Sequence, residues 1–191
     1  MRIVAGKYRG RILSAPLTLL TRPTSDRARE SVFNILDSRL LKCGLSWSDL
    51  KVLDAFAGTG AMGVEAASRG AMSVSFMEKD AEALKSLRAN VSVPERDGCR
   101  ISIYSDVLLP PNVPDPADII FMDPPYGKGM VLPAIQALAE SGWLVKKTLC
   151  VVETERKEDL VLPPLFETHE ERVYGKAKIS FVSIADPFFA P

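Results

Sequence analysis

From Lys51 onward, short apolar runs and helix-period stretches take turns, and this alternation restricts the fold more than any other feature of the chain. Residues 51–56, 73–78, 100–104, 117–123 and 149–153 read as strands. Residues 61–69 (closed by Gly70), 81–91 and 130–141 carry helical spacing, and only a proline-rich loop, 109–116, separates the third strand from the fourth. Strands alternating with helices imply a parallel sheet covered on both faces. The end of the chain breaks the rule. Runs 171–174 and 179–184 flank Gly175-Lys176-Ala177, with no room for a crossover helix. They predict a hairpin, hence an α/β fold with a mostly parallel seven-stranded sheet and an antiparallel C-terminal strand.

Ahead of this block, Ala28, Val32, Leu36 and Leu40 recur every four residues beside Phe33, as in an amphipathic helix. Arg27, Glu30, Asn34 and Asp37 fall toward its other side. Thr24 or Ser25 serves as its N-cap, and Pro23 supports a start there. Residues 1–24 read as a separate short arm, extended or hairpin-like, with turns at Gly6 and Gly10 and breaks at Pro16 and Pro23. Residues 25–191 form the single domain expected for a chain of 191 residues.

Net charge is zero, with 24 basic and 24 acidic side chains, but the balance is uneven along the chain. Residues 1–30 hold seven basic side chains (Arg2, Lys7, Arg9, Arg11, Arg22, Arg27 and Arg29) against Asp26 and Glu30. A basic head on an acidic body suits a polyanionic partner met by one edge of the molecule, although a solvated terminal arm has the same composition. The longest apolar runs, such as Ile119 to Met122, fall far short of the ~18 residues a membrane span needs. No secretory signal develops after Met1. Cys43, Cys99 and Cys150 are distant from one another and offer neither a disulfide framework nor a zinc site. The expected compartment is the cytoplasm, with no membrane and no metal.

The loop after the first strand, Asp54-Ala55-Phe56-Ala57-Gly58-Thr59-Gly60-Ala61-Met62-Gly63, contains GxGxxG, and Glu78 follows Gly58 by 20 residues. This pattern binds a nucleoside-containing cofactor: the glycines let backbone approach the ligand, and the acid accepts hydrogen bonds from ribose hydroxyls. A Gly-rich turn serving only helix–strand packing has the same spelling. Asp54 discriminates among cofactors, because a carboxylate at the strand end repels the pyrophosphate of NAD. It favours the ammonium and sulfonium of S-adenosylmethionine, at ~1.5–3 kcal/mol per charge-assisted contact. Asp106 follows the third strand at the same sheet edge, where it can accept an exocyclic amino proton of adenine beside the Val107 amide.

The fourth strand runs into Asp123-Pro124-Pro125-Tyr126-Gly127. Two prolines stop the strand and hold a rigid loop. The Asp123 carboxylate and the Pro124 carbonyl are two acceptors with no donor, a pair suited to an NH₂ group. Tyr126 offers a face for a base taken out of its stack, worth ~1–3 kcal/mol. A purine amino nitrogen is a poor nucleophile until its protons are held by fixed acceptors. Catalysis would then be positioning and preorganised electrostatics.

These motifs, in this order, resemble the class I S-adenosylmethionine-dependent methyltransferases that modify exocyclic amines, a Rossmann-like fold. The segment Arg22-Pro23-Thr24-Ser25-Asp26-Arg27-Ala28-Arg29-Glu30, the opening Arg2-Ile3-Val4-Ala5-Gly6 and Glu65-Ala66-Ala67-Ser68-Arg69-Gly70 are similar to the RsmD-type bacterial 16S rRNA (guanine-N2)-methyltransferases. The resemblance covers nearly the whole chain, except the tail after Ala185. It implies catalytic roles for Asp123, Pro124 and Tyr126. It implies S-adenosylmethionine contacts from Asp54, Phe56, Ala57, Gly58, Thr59, Gly60, Glu78, Lys79, Asp106 and Val107. RNA contacts are expected from Arg2, Lys7, Arg9, Arg11, Arg22, Arg27 and Lys128. The implied substrate is a guanine of 16S rRNA, guanine 966 in the usual numbering, within a 30S particle or assembly intermediate, with ribosomal proteins as neighbours. A DNA adenine-N6 methyltransferase shares the Asp-Pro-Pro-Tyr chemistry, and a non-catalytic RNA-binding assembly factor shares the fold.

Overall fold

The structure, a computed structural model, describes residues 1–16 and 26–184. Seven strands form one sheet: β1 (Lys51–Asp54), β2 (Ser73–Met77), β3 (Arg100–Tyr104), β4 (Ile119–Met122), β5 (Leu149–Glu155), β6 (Phe166–Tyr174) and β7 (Ala177–Ile184). The spatial order is β3-β2-β1-β4-β5-β7-β6. The first five strands pair in parallel, and β7 pairs antiparallel with both β5 and β6. The helices are α1 (Asp26–Lys42), α2 (Ala61–Ser68), α3 (Ala81–Arg96) and α4 (Val131–Glu140). The strand order reverses between β1 and β4. A crevice therefore opens beyond the carboxyl ends of those strands, where sheets of this kind bind ligands.

Each central strand buries both faces, which is why its residues read as continuous apolar runs. Val52, Val74, Phe76, Ile119, Phe121 and Val151 pack against α1, α2 and α3. Leu53, Met77, Ile120, Met122 and Val152 pack against α4 and Trp143 on the other face. The four-residue repeat of α1 is its core stripe, since Ala28, Val32, Phe33, Leu36 and Leu40 are all buried. Its N-cap at Thr24 or Ser25 lies outside the described residues, as do Arg22 and the tail from Ala185.

Several elements differ in their bounds from the sequence-based expectation. Helix α3 continues past Val91 to Arg96 through Pro94. The proline sits in the final turn with its ring buried, so it forfeits one backbone bond without breaking the helix. Strand β6 starts at Phe166 rather than Glu171, and a register shift between Thr168 and Glu170 interrupts its period of two. Its charges are those of an edge strand, which hides the strand pattern. Strands β1, β2 and β4 each end before the expected residue, leaving Asp54 as the last of β1 and Glu78 and Asp123 just beyond β2 and β4.

Residues 1–16 form a hairpin, with a bridge between Arg2 and Ile12, and it packs into the core through Ile3 and Leu13. Backbone bonds hold it to α2: the amides of Val4 and Ala5 donate to Glu65 Oε2 and Oε1 at 2.7 and 2.9 Å, and the Lys7 amide donates to the Ser68 carbonyl at 2.7 Å. Gly6 makes this approach feasible, because a Cβ there would stand 2.0 Å from the Ser68 carbonyl oxygen. Arg29, counted by sequence among the basic head, is completely buried. It pairs with Asp26 at 2.8 Å, bonds the Arg2 carbonyl and lies 3.9 Å from Glu65.

Candidate active site

A cavity of about 830 Å³ occupies the crevice at the carboxyl ends of the parallel strands. Its lining includes Asp54, Phe56, Ala57, Gly58, Thr59, Glu78, Lys79, Asp106, Val107, Asp123, Pro124 and Tyr126. The structure thus gathers nine of the ten cofactor candidates and all three catalytic candidates into one space. Gly60 stands behind the wall, where a Cβ would meet the Leu87 side chain of α3 at 2.4 Å. Gly63 serves packing: a Cβ there would fall 2.3 Å from the Phe76 ring, so the glycine lets α2 lie close to β2. The packing reading of the glycine pattern thus holds at Gly60 and Gly63, while a Cβ at Gly58 would meet nothing within 4 Å.

The acids differ in their surroundings. Asp54 is 4% exposed, and its Oδ2 accepts from the Gly63 amide at 2.9 Å. Burial pushes its carboxyl up to about 7, against the Gly63 hydrogen bond and with help from the charge of Glu78. The expectation of a simply charged carboxylate needs this amendment. Glu78 is half-buried, and both its oxygens are held, Oε2 by the Gly58 amide and Oε1 by the Asp80 amide, each at 2.7 Å. Each oxygen retains a further acceptor site, so a rigid two-pronged acceptor faces the cavity. Asp106 closes a turn by accepting from the Leu108 amide at 3.0 Å, and Lys79 reaches its other oxygen at 3.6 Å.

On the opposite side, Asp123 is exposed, while Pro124 behind it is buried. The Tyr126 hydroxyl donates to Oε1 of Glu153, a buried residue of β5, which fixes the ring's orientation. No sequence motif singled out Glu153. The cavity has one further wall that sequence reasoning missed, formed by Met1, Ile12, Leu13 and Ala15 of the N-terminal hairpin. The available signal was apolar residues interleaved with the basic ones.

Arg2, Lys7, Arg9 and Arg27 are exposed, and Arg11 is half-buried. Lys7 is tied to Asp97 at 2.9 Å, and Arg2 lies 3.8 Å from Asp26. Lys128 is exposed in the loop after Tyr126, outside the cavity lining. Among the described residues, no group of three or more His, Cys, Asp or Glu side chains is placed to hold a metal ion, and no helix is long and apolar enough to cross a membrane.

A Rossmann-like sheet with a reversed last strand, carrying an acid at or just beyond the end of each of its first four strands, defines a methyltransferase of the α/β type. The chain belongs to the family described as Conserved hypothetical protein 95, which it matches over residues 1–183. It is 33% identical to the ribosomal RNA small subunit methyltransferase D of Escherichia coli K12, over 92% of this chain and 86% of that protein. The protein of that name from Haemophilus influenzae is 32% identical, over 92% and 89%. Among solved structures, the putative methyltransferase yhhF from Escherichia coli superposes with a TM-score of 0.77 at 30% identity, covering 96% of this chain and 97% of that one.

Proposed function

We propose that this protein transfers a methyl group from S-adenosylmethionine to the exocyclic N2 of a guanine in 16S rRNA, at guanine 966 by resemblance. The observation that carries the reading is that the Asp123-Pro124-Pro125-Tyr126 loop and the Gly58–Glu78–Asp106 series face one cavity from opposite sides. S-adenosylmethionine bound there supplies an electrophilic methyl on a sulfonium. Glu78, held by two amides, accepts from the ribose hydroxyls. Asp106 and the Val107 amide meet the adenine edge, and Asp54 faces the positive end of the cofactor. Asp123 and the Pro124 carbonyl accept hydrogen bonds from the two amino protons of guanine and so direct its lone pair at that methyl. The N–C bond forms as S-adenosylhomocysteine leaves, and one amino proton is lost to solvent. Tyr126, oriented by Glu153, stacks on the base. Preorganised acceptors of this kind act most strongly in a cavity that excludes water.

The names of the relatives support rRNA as the substrate, and the exposed Arg9 of the hairpin and Arg27 of α1 suit its phosphates. The substrate state is a 30S particle or an assembly intermediate in the cytoplasm, with ribosomal proteins bordering the site. The test is methyl incorporation into 30S particles, naked 16S rRNA and DNA, with the modified nucleotide located by mass spectrometry. Transfer to guanine N2 of 16S rRNA is expected. Transfer to adenine in DNA, or none to any acceptor, overturns the proposal. Asp123→Ala should lower transfer by ~10²-fold or more while cofactor binding persists. Replacing Arg9 and Arg11 together should flatten the log–log salt dependence of RNA binding by roughly 1.4–1.8.

A further inference from the structure

Asn90 is 2% exposed on α3, and its side-chain amide bonds three backbone groups. Its Nδ2 donates to the Thr59 carbonyl at 2.8 Å and to the Ser14 carbonyl at 2.9 Å, while its Oδ1 accepts from the Ser14 amide at 2.8 Å. One donor and two carbonyl partners allow a single orientation of the amide. Thr59 lines the cavity within the glycine loop, and Ser14 lies between Leu13 and Ala15, which line it from the N-terminal hairpin. These two walls are 45 residues apart in sequence, and one buried side chain bonds the backbone of both. Leu87, one turn earlier on α3, braces the same loop at Gly60.

We propose, resting on the functional reading above, that Asn90 is a positioning residue coupling cofactor occupancy to RNA docking. Occupation of the glycine loop fixes the Thr59 carbonyl, hence the Asn90 amide, hence the Ser14 segment of the wall that meets the RNA. Since one amide holds both partners by hydrogen bonds, a shift at either wall is felt at the other. By linkage the effect is reciprocal: RNA tightens cofactor binding by the factor with which cofactor tightens RNA binding.

The test measures hydrogen exchange at the Leu13 amide, whose bond to the Met1 carbonyl at 3.1 Å does not involve Asn90, in the full-length chain with and without saturating S-adenosylhomocysteine, whose binding is followed by calorimetry. In the unaltered protein Leu13 protection should rise at least ~5-fold on saturation, the lower end of typical coupling. In Asn90→Ala the rise should fall below ~2-fold although the ligand still binds. The affinity of a 16S rRNA fragment should show the same ratio with and without the ligand, and the variant should lose it. A role confined to stability would lower the melting temperature yet leave these ratios intact. Binding of S-adenosylhomocysteine with no change at Leu13 overturns the coupling and leaves the cofactor reading standing. Failure to bind the ligand overturns the cofactor reading and the coupling with it. Protection at Leu13 without RNA affinity overturns the substrate reading and the coupling to RNA together. If Asn90→Ala does not fold, Asn90→Asp, which keeps the acceptor and loses the donors, takes its place with the same expected loss of both ratios.

Discussion

Cofactor affinity should rise with pH across the range in which Asp54 loses its proton. Without ligand its carboxyl titrates at about 7 because burial disfavours the charged form. A cation in the cavity reverses that preference, so the bound state holds Asp54 ionised well below neutrality. At pH 5.5 only ~3% of the ligand-free protein carries the charge, and affinity should be roughly 30-fold below its plateau, approaching a slope of one decade per pH unit. Titration calorimetry with S-adenosylmethionine between pH 5.5 and 7.5, in buffers of different ionisation enthalpy, should show this rise and a proton released on binding. Folding stability runs the other way. The native carboxyl keeps its proton up to about 7 while the unfolded one loses it near 3.8, so the ligand-free protein binds more protons than the unfolded chain between those values. This group's contribution is thus fully present below pH 3.8 and lost as pH rises through 7, a decline of about 4 kcal/mol. Asp54→Asn should remove both dependences, binding cofactor more weakly with a flat profile and melting higher than the parent at pH 8. A flat affinity profile in the unaltered protein, or one rising toward acid, would refute the reasoning.

Two further substitutions test how the site is held. Glu65→Ala removes the acceptor of the Val4 and Ala5 amides and of Arg69 at 3.1 Å, and leaves buried Arg29 with less compensation. It should cost ~3–5 kcal/mol in urea unfolding, and a loss under ~1 kcal/mol would contradict the importance of this buried carboxylate. Gly63→Ala places a methyl 2.3 Å from the Phe76 ring and 2.9 Å from Val74, which should cost ~1–3 kcal/mol. Phe76→Leu in the same chain should recover part of that loss, with a coupling of ~0.5–3 kcal/mol in a double-mutant cycle, and simple additivity would show that the clash is relieved elsewhere.

What was legible in the sequence shares one property: it is written in residues close together along the chain. The strands of the parallel sheet, the glycine loop and Asp123 to Tyr126 all announce themselves within a dozen residues. Their convergence follows from topology, because parallel strands put every loop after a strand at one edge of the sheet. The first half of β6, Phe166 to Glu170, escaped because edge charges and a bulge erase the period of two. Arg29 read as surface charge because nothing nearby in sequence shows that Glu65 will lie within 3.9 Å of it.

The local pattern of the chain by itself determined the layered α/β class, the reversed final strand and the identity of the acids at the strand ends. Only the tertiary structure decided that the basic N-terminal segment is a wall of the cavity, that Glu153 orients Tyr126, that Asn90 bonds two walls at once and that Asp54 titrates near neutrality. Each of those depends on groups far apart in sequence excluding water from one another. Desolvation and long-range hydrogen bonds are properties of the packed solid, which a reading of neighbouring residues does not contain.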